Sequence, residues 1–172
     1  IHPGEPDGID ASMLFAREIV KNTIMSDLLR HLTIVIIPVY NIGGCINRSA
    51  TSRANQNGPE AYGFRANAKN LDLNRDFIKC DSKNAISFNQ IFNQWQPDVM
   101  IDTHTSNGAD YPYTMTLIAT QKDKLHPLLS EFMTSNMLPY LYKDMDKKGW
   151  EMVPYVYSRG LPDTGIYGFM ET

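Results

Sequence analysis

Positive charge is in short supply in this 172-residue chain: Lys and Arg number 16 against 19 Asp and Glu, a net charge of −3. Domains that grip nucleic-acid phosphates or anionic membrane surfaces carry the opposite balance. Neither is expected as a partner. Long apolar runs are missing as well. None exceeds four residues, Ile34-Val35-Ile36-Ile37 among them, far short of the ~20 residues of a membrane span. Cysteine is scarce: Cys45 and Cys80 cannot build a disulfide scaffold. They are expected as free or structural thiols, with one pairing between them as the alternative. No initiator Met and no signal segment opens the chain, which begins Ile1-His2. That start is expected of a processed chain or a fragment. The sequence carries no signal for oligomeric state.

The rest of the composition, 42% hydrophobic and 20% charged, is that of a folded globular chain. The length suits a single domain over residues 1–172. Apolar residues at spacings of three and four predict a helix over Asp10 to Arg30, with Ser12 or Asp10 as its cap. Leu32 to Ile37, closed by Pro38, reads as a buried strand. Asn41 to Asn70 is rich in Gly, Asn and Ser and reads as one long loop, a kind that often carries function. A helix over Asn84 to Gln94, strands at Val99 to Ile101 and Tyr113 to Ala119, and a helix from Leu125 to Leu141 follow. Pro127 and Pro139 mark the ends of that last helix. Strand–helix alternation predicts an α/β fold with a mixed, largely parallel sheet flanked by helices.

Chemistry concentrates in a few places. His2-Pro3-Gly4-Glu5 holds an imidazole and a carboxylate around a Pro-Gly turn, and both are good zinc donors. A catalytic zinc site uses three protein ligands and one open position. The third candidate is His104, just past the apolar run Val99-Met100-Ile101, since sites in open α/β sheets gather at the carboxyl ends of strands. His31 and His126 stand at helix ends and read as structural. Arg65, Asn74 and Arg75 form a second set. Asn74-Arg75 can clamp a carboxylate, because the planar guanidinium matches it in a bidentate manner. Arg65 can stabilise an oxyanion beside a metal. Asp72, and less directly Asp102, can fix the tautomer of a metal-bound histidine. The plainer alternative is a polar helix start in which Asp76 pairs with an arginine at the surface.

The order His2-x-x-Glu5, then Arg65, then Asp72-Leu73-Asn74-Arg75-Asp76-Phe77, then Asp102-Thr103-His104 resembles the zinc carboxypeptidase family. The resemblance runs from residue 1 to about residue 120. It implies one zinc ion held by His2, Glu5 and His104, with Asp72 supporting His2. Arg65 would polarise the scissile carbonyl, with Arg53 as a more distant alternative. Asn74 and Arg75 would hold the substrate's terminal carboxylate. The implied activity is removal of the last residue of a peptide or protein. The alternatives are a related zinc hydrolase acting on N-acyl amino acids or peptidoglycan peptides, and an inactive zinc-binding piece. The family's habit is secretion, which makes an extracytoplasmic location the expectation. Family domains are longer and place strands before the His-x-x-Glu loop. They also place a Glu general base on a late strand. Phe169-Met170-Glu171-Thr172 resembles the setting of that base. Tyr155 to Gly160, however, resembles the segment before the family's Tyr loop, which would put the base beyond residue 172. Tyr157 and Tyr167 are weaker candidates for the substrate tyrosine.

Overall fold

The computed structural model of the chain describes residues 2–53, 58–106 and 112–155. The chain divides into two compact units, Ile1–Gly108 and Ala109–Thr172. The first unit opens on a tight turn in which the Glu5 N–H donates to the His2 carbonyl at 2.9 Å. Pro6 then starts helix α1, Asp7–Lys21. Asp7 and Asp10 in its first turn and Lys21 in its last suit the helix dipole. Ser12 lies inside this helix, its hydroxyl donating to the Ile9 carbonyl, so neither expected cap is used.

The helix expected to run to Arg30 breaks at Asn22. That residue adopts ψ 117, and its side chain accepts from the Ile24 and Met25 N–H groups. Asparagine competes with the helix for backbone donors, and here it caps a new short helix, α2, Thr23–Asp27. A 3-10 turn, Leu28–Arg30, ends the segment.

The segment read as one loop holds three elements. Asn41 is buried and caps α3, Ile42–Ile46, by accepting from Gly44 N–H at 2.9 Å. Strands β1, Arg48–Ser49, and β2, Tyr62–Gly63, pair antiparallel with Arg48 opposite Gly63. The Arg48 guanidinium closes this ribbon by donating to the Ala61 carbonyl at 2.9 and 2.7 Å. Close backbone approach explains two glycines here. A Cβ on Gly44 would strike the carbonyls of Phe64 and Ala66, and one on Gly63 would strike Pro3. Gly63 thereby seats the opening turn directly on β2.

A 3-10 turn over Leu73–Arg75 is capped by Asp72 and anchored by Leu73, which is 1% exposed. Asp76 partners backbone rather than an arginine: its two oxygens accept from Asp81 and Ser82 N–H at 2.8 and 2.9 Å. Ser82 then caps α4, Lys83–Trp95, which Gln96 ends in the left-handed region at φ 43. Tyr40 stacks on Phe77, Phe88 of α4 meets both rings edge-on, and Phe92 lies tilted against Phe88.

In the second unit, β3, Met115–Leu117, pairs parallel with β4, Met152–Pro154. Between them run α5, Pro127–Phe132, a π turn over Met133–Met137, and α6, Leu138–Lys147. Pro139 does not end this helix. The Leu138 N–H reaches back to the Met133 carbonyl, and that wider turn relieves the clash a proline ring makes with the preceding turn. His126 caps α5 by accepting from the Leu128 N–H at 3.3 Å, and His31 lies exposed beyond the 3-10 turn. Both sit at helix ends.

Helices with small sheets match the expected mixture of α and β. The largely parallel sheet does not form among the described residues, whose pairings are one antiparallel and one parallel two-stranded sheet. Leu32 to Ile37 and Val99 to Ile101 run without a ladder, and Val35, Ile37, Val99 and Ile101 are exposed. Apolar runs signal burial, but a strand also needs a neighbour to accept its hydrogen bonds. Among the described residues, no helix is long and apolar enough to cross a membrane.

Candidate metal centre

The opening turn carries His2 and Glu5 to one side and buries both; each is 5% exposed. The chain returns to this point 99 residues later, where His104 Nδ1 lies 3.0 Å from Glu5 Oε2. His2 Nδ1 lies 3.0 Å from Glu5 Oε1. One ligand atom from each of the three residues falls within 4.8 Å of the others, and the two rings meet edge-on with centroids 5.3 Å apart. The Thr105 N–H donates to Glu5 Oε2 at 3.0 Å, which fixes the segment carrying His104. Thr103, two residues earlier, lies against Gly8 of α1 where a Cβ would collide with it.

Both outer ring nitrogens are backed by carboxylates. His2 Nε2 lies 3.3 Å from Asp72 Oδ1, and His104 Nε2 lies 3.0 Å from Asp102 Oδ2. With a metal ion on Nδ1, these partners would hold the remaining ring proton on Nε2 of each histidine. Each Nδ1 faces an oxygen of Glu5 and donates to it whenever it carries a proton; without that proton both atoms are acceptors. Two acceptors 3.0 Å apart need a shared proton or a metal ion between them. The donor set of two imidazole nitrogens and one carboxylate, with both histidines oriented from behind, fits zinc.

The electrostatics agree with this arrangement. Burial alone would lift the Glu5 pKa, but donors from His104, His2 and Thr105 hold it well below the usual carboxylate range. Burial alone would lower His104, but hydrogen bonds to Asp102 and Glu5 push it up to about 9. A metal ion at this site must therefore displace a proton from His104. Apparent zinc affinity should rise about tenfold per pH unit between pH 6.5 and 8.5 as that proton becomes easier to remove. The fold without metal should follow the opposite trend. The raised pKa stabilises it fully below the unfolded value near 6.5, and this stabilisation is lost as pH rises through about 9. Chelator competition across this range checks the first trend, and a flat profile would refute it.

Asp72 joins the cluster to the neighbouring basic turn. Its Oδ1 accepts from Asn74 N–H at 3.0 Å as well as facing His2, and its Oδ2 accepts from Arg65 Nε at 2.8 Å. Burial favours the protonated form, but Arg65 beside it and these hydrogen bonds bring its pKa below the ordinary value. Arg65 is held a second way, because Asn41 Nδ2 donates to its carbonyl at 3.1 Å. Asn74 is half-buried. Arg75 is exposed, with Nη1 donating to the Asn74 carbonyl at 3.0 Å.

A profile of the zinc carboxypeptidase family matches residues 1–167. The chain belongs to that family. No curated protein and no solved structure matches it. Within the family frame, the structure brings together His2, Glu5 and His104. It places Asp72 and Asp102 behind the two histidines and sets Asn74 and Arg75 on the turn that Asp72 caps. Glu171, Tyr157 and Tyr167 lie outside the described residues. Two contributors to the site had little sequence signal. The Thr105 N–H is a backbone donor, which no side-chain pattern announces. Arg53 meets Glu5 from within a polar stretch where nothing in the spacing ties it to residue 5. Cys45 and Cys80 are free thiols.

Proposed function

We propose that this site hydrolyses the C-terminal peptide bond of peptides or proteins, with one zinc ion held by His2 Nδ1, Glu5 and His104 Nδ1. The observation that carries this reading is the closure of two imidazoles and a buried carboxylate across 99 residues of chain. Bound there, zinc would supply a polarised substrate carbonyl and a water acidic enough to deprotonate near neutral pH. The chain's own residues would do the rest. Asp72 and Asp102 hold the histidine tautomers. Arg65, fixed by Asp72 and Asn41, stands in the role of stabilising charge that develops on the carbonyl oxygen. Asn74 and Arg75 would take the substrate's terminal carboxylate, which restricts cleavage to the last residue. Glu171 is one candidate for the base on the strength of its sequence setting, and the competing alignment of Tyr155 to Gly160 does not use it.

The test begins with metal analysis of the whole chain beside His104→Ala. One zinc per chain, lost in the variant, is the expected result. No zinc in the parent chain would overturn the reading. Peptides with a free C-terminus, the same peptides as amides, and N-acyl amino acids should then be assayed side by side. Turnover confined to free-acid peptides is expected, whereas preference for N-acyl amino acids would move the substrate to the related amidohydrolases.

A further inference from the structure

Glu5 is held by more than the two histidines. Each of its oxygens faces one imidazole and one N–H donor that is not a metal ligand. Oε2 faces His104 Nδ1 and the Thr105 N–H, both at 3.0 Å. Oε1 faces His2 Nδ1 at 3.0 Å and Arg53 Nη2 at 2.9 Å. The Arg53 side chain is 12% exposed and that of Glu5 is 2% exposed, so the pair is shielded from water. The stem of Arg53 reaches Glu5 by passing over residue 4. A Cβ built on Gly4 would lie 2.8 Å from Arg53 Cγ, 3.0 Å from its Cδ and 3.1 Å from the Gly63 carbonyl.

We infer that Arg53 is a positioning residue for the Glu5 carboxylate, and that residue 4 is glycine to leave room for the Arg53 stem. The inference rests on the metal reading of His2, Glu5 and His104. A carboxylate oxygen has two lone pairs, so one can accept from a guanidinium while the other serves a cation. A guanidinium keeps its protons at all working pH values. Arg53 therefore does not have to leave when a proton between imidazole and carboxylate gives way to a metal ion. Its positive charge opposes that ion. Its benefit is geometric: with the Thr105 N–H on the other oxygen, it fixes the plane of the carboxylate before metal arrives. Arg65 is engaged elsewhere, with Nε on Asp72, so the two arginines serve different carboxylates of the site.

The experiment compares the whole chain with Arg53→Ala, Gly4→Ala and the double variant. Zinc affinity is read by competition with a chromophoric chelator, and the visible spectrum of the cobalt(II)-loaded protein reads ligand geometry. Arg53→Ala is expected to weaken zinc binding about 10- to 100-fold, the range for residues that orient a ligand, and to alter the cobalt spectrum. Gly4→Ala should do the same by displacing the stem. It should cost much less in the Arg53→Ala background, where Cγ and Cδ are gone. Unchanged or tighter zinc binding in a folded Arg53→Ala protein overturns the inference while leaving the metal reading intact. If Arg53→Ala fails to fold, Gly4→Ala decides, and wild-type affinity and spectrum in that variant overturn it. Absence of zinc binding in the parent chain overturns the metal reading and the inference together.

Discussion

Glu5→Gln should cost at least a hundredfold in zinc affinity, beyond the ~10- to 100-fold typical of a lost supporting partner. The substitution changes no volume, so the effect isolates charge and lone pairs. An amide keeps one acceptor oxygen and turns the other position into a donor. Glu5 uses both oxygens, each for an imidazole and an N–H donor. An amide nitrogen cannot accept from Arg53, nor can it ligate a metal as a carboxylate oxygen does. The metal-free protein should be destabilised too, by about 1–3 kcal/mol, because a largely buried guanidinium loses the anion it faces. Glu18→Gln on α1, where the side chain is 56% exposed, should change neither quantity and serves as the control. Chelator competition and thermal unfolding read both effects. A Glu5→Gln protein that binds zinc like the parent would remove Glu5 from the metal site.

Arg75→Ala should raise KM about ten- to a hundredfold for peptides with a free C-terminus while leaving kcat within a few-fold. The turn that presents Arg75 is held by other groups besides its own bond to the Asn74 carbonyl. Leu73 anchors the turn from the interior and Asp72 caps it through the Asn74 N–H. Arg75 itself is exposed, so truncation should leave the fold and the metal cluster undisturbed. What is lost is a charge-assisted bond to a carboxylate, worth about 1.5–3 kcal/mol. Peptide amides, which lack that carboxylate, should show little difference between parent and variant. Unchanged KM on free-acid peptides, or an equal rise on amides, would show that Arg75 does not read the terminal carboxylate.

The elements that the sequence marked well are those whose signal is local. The helix read over Asn84 to Gln94 forms as Lys83–Trp95, carried by apolar residues at helical spacing, and the structure adds Ser82 as its cap. The first helix was legible in its interior but not in its length. Asn22 interrupts it through a side-chain bond to backbone, and that competition has no signature in hydrophobic spacing. Pro139 shows the converse. A residue that usually ends a helix is absorbed by a single wide turn, and whether such a turn forms depends on the surrounding chain. Asp76 looked like half of a surface ion pair; instead it ties two backbone N–H groups together, a job decided by how the chain folds back at residues 81 and 82.

The metal residues divide along the same line. His2 and Glu5 share one turn, so their partnership was visible in four consecutive residues, as were the Asp72 to Arg75 set and Asp102-Thr103-His104. Residue identity determined which donors this protein has: imidazoles, carboxylates and guanidinium groups. Only the tertiary structure decided which of them meet. It brought His104 to Glu5 across 99 residues, put Asp72 behind His2 across 70, and laid Arg53 over Gly4 onto a buried oxygen. The physical reason is that chain chemistry is written residue by residue. Distance between side chains, by contrast, is set by close packing at glycines and by the backbone bonds that fix each loop.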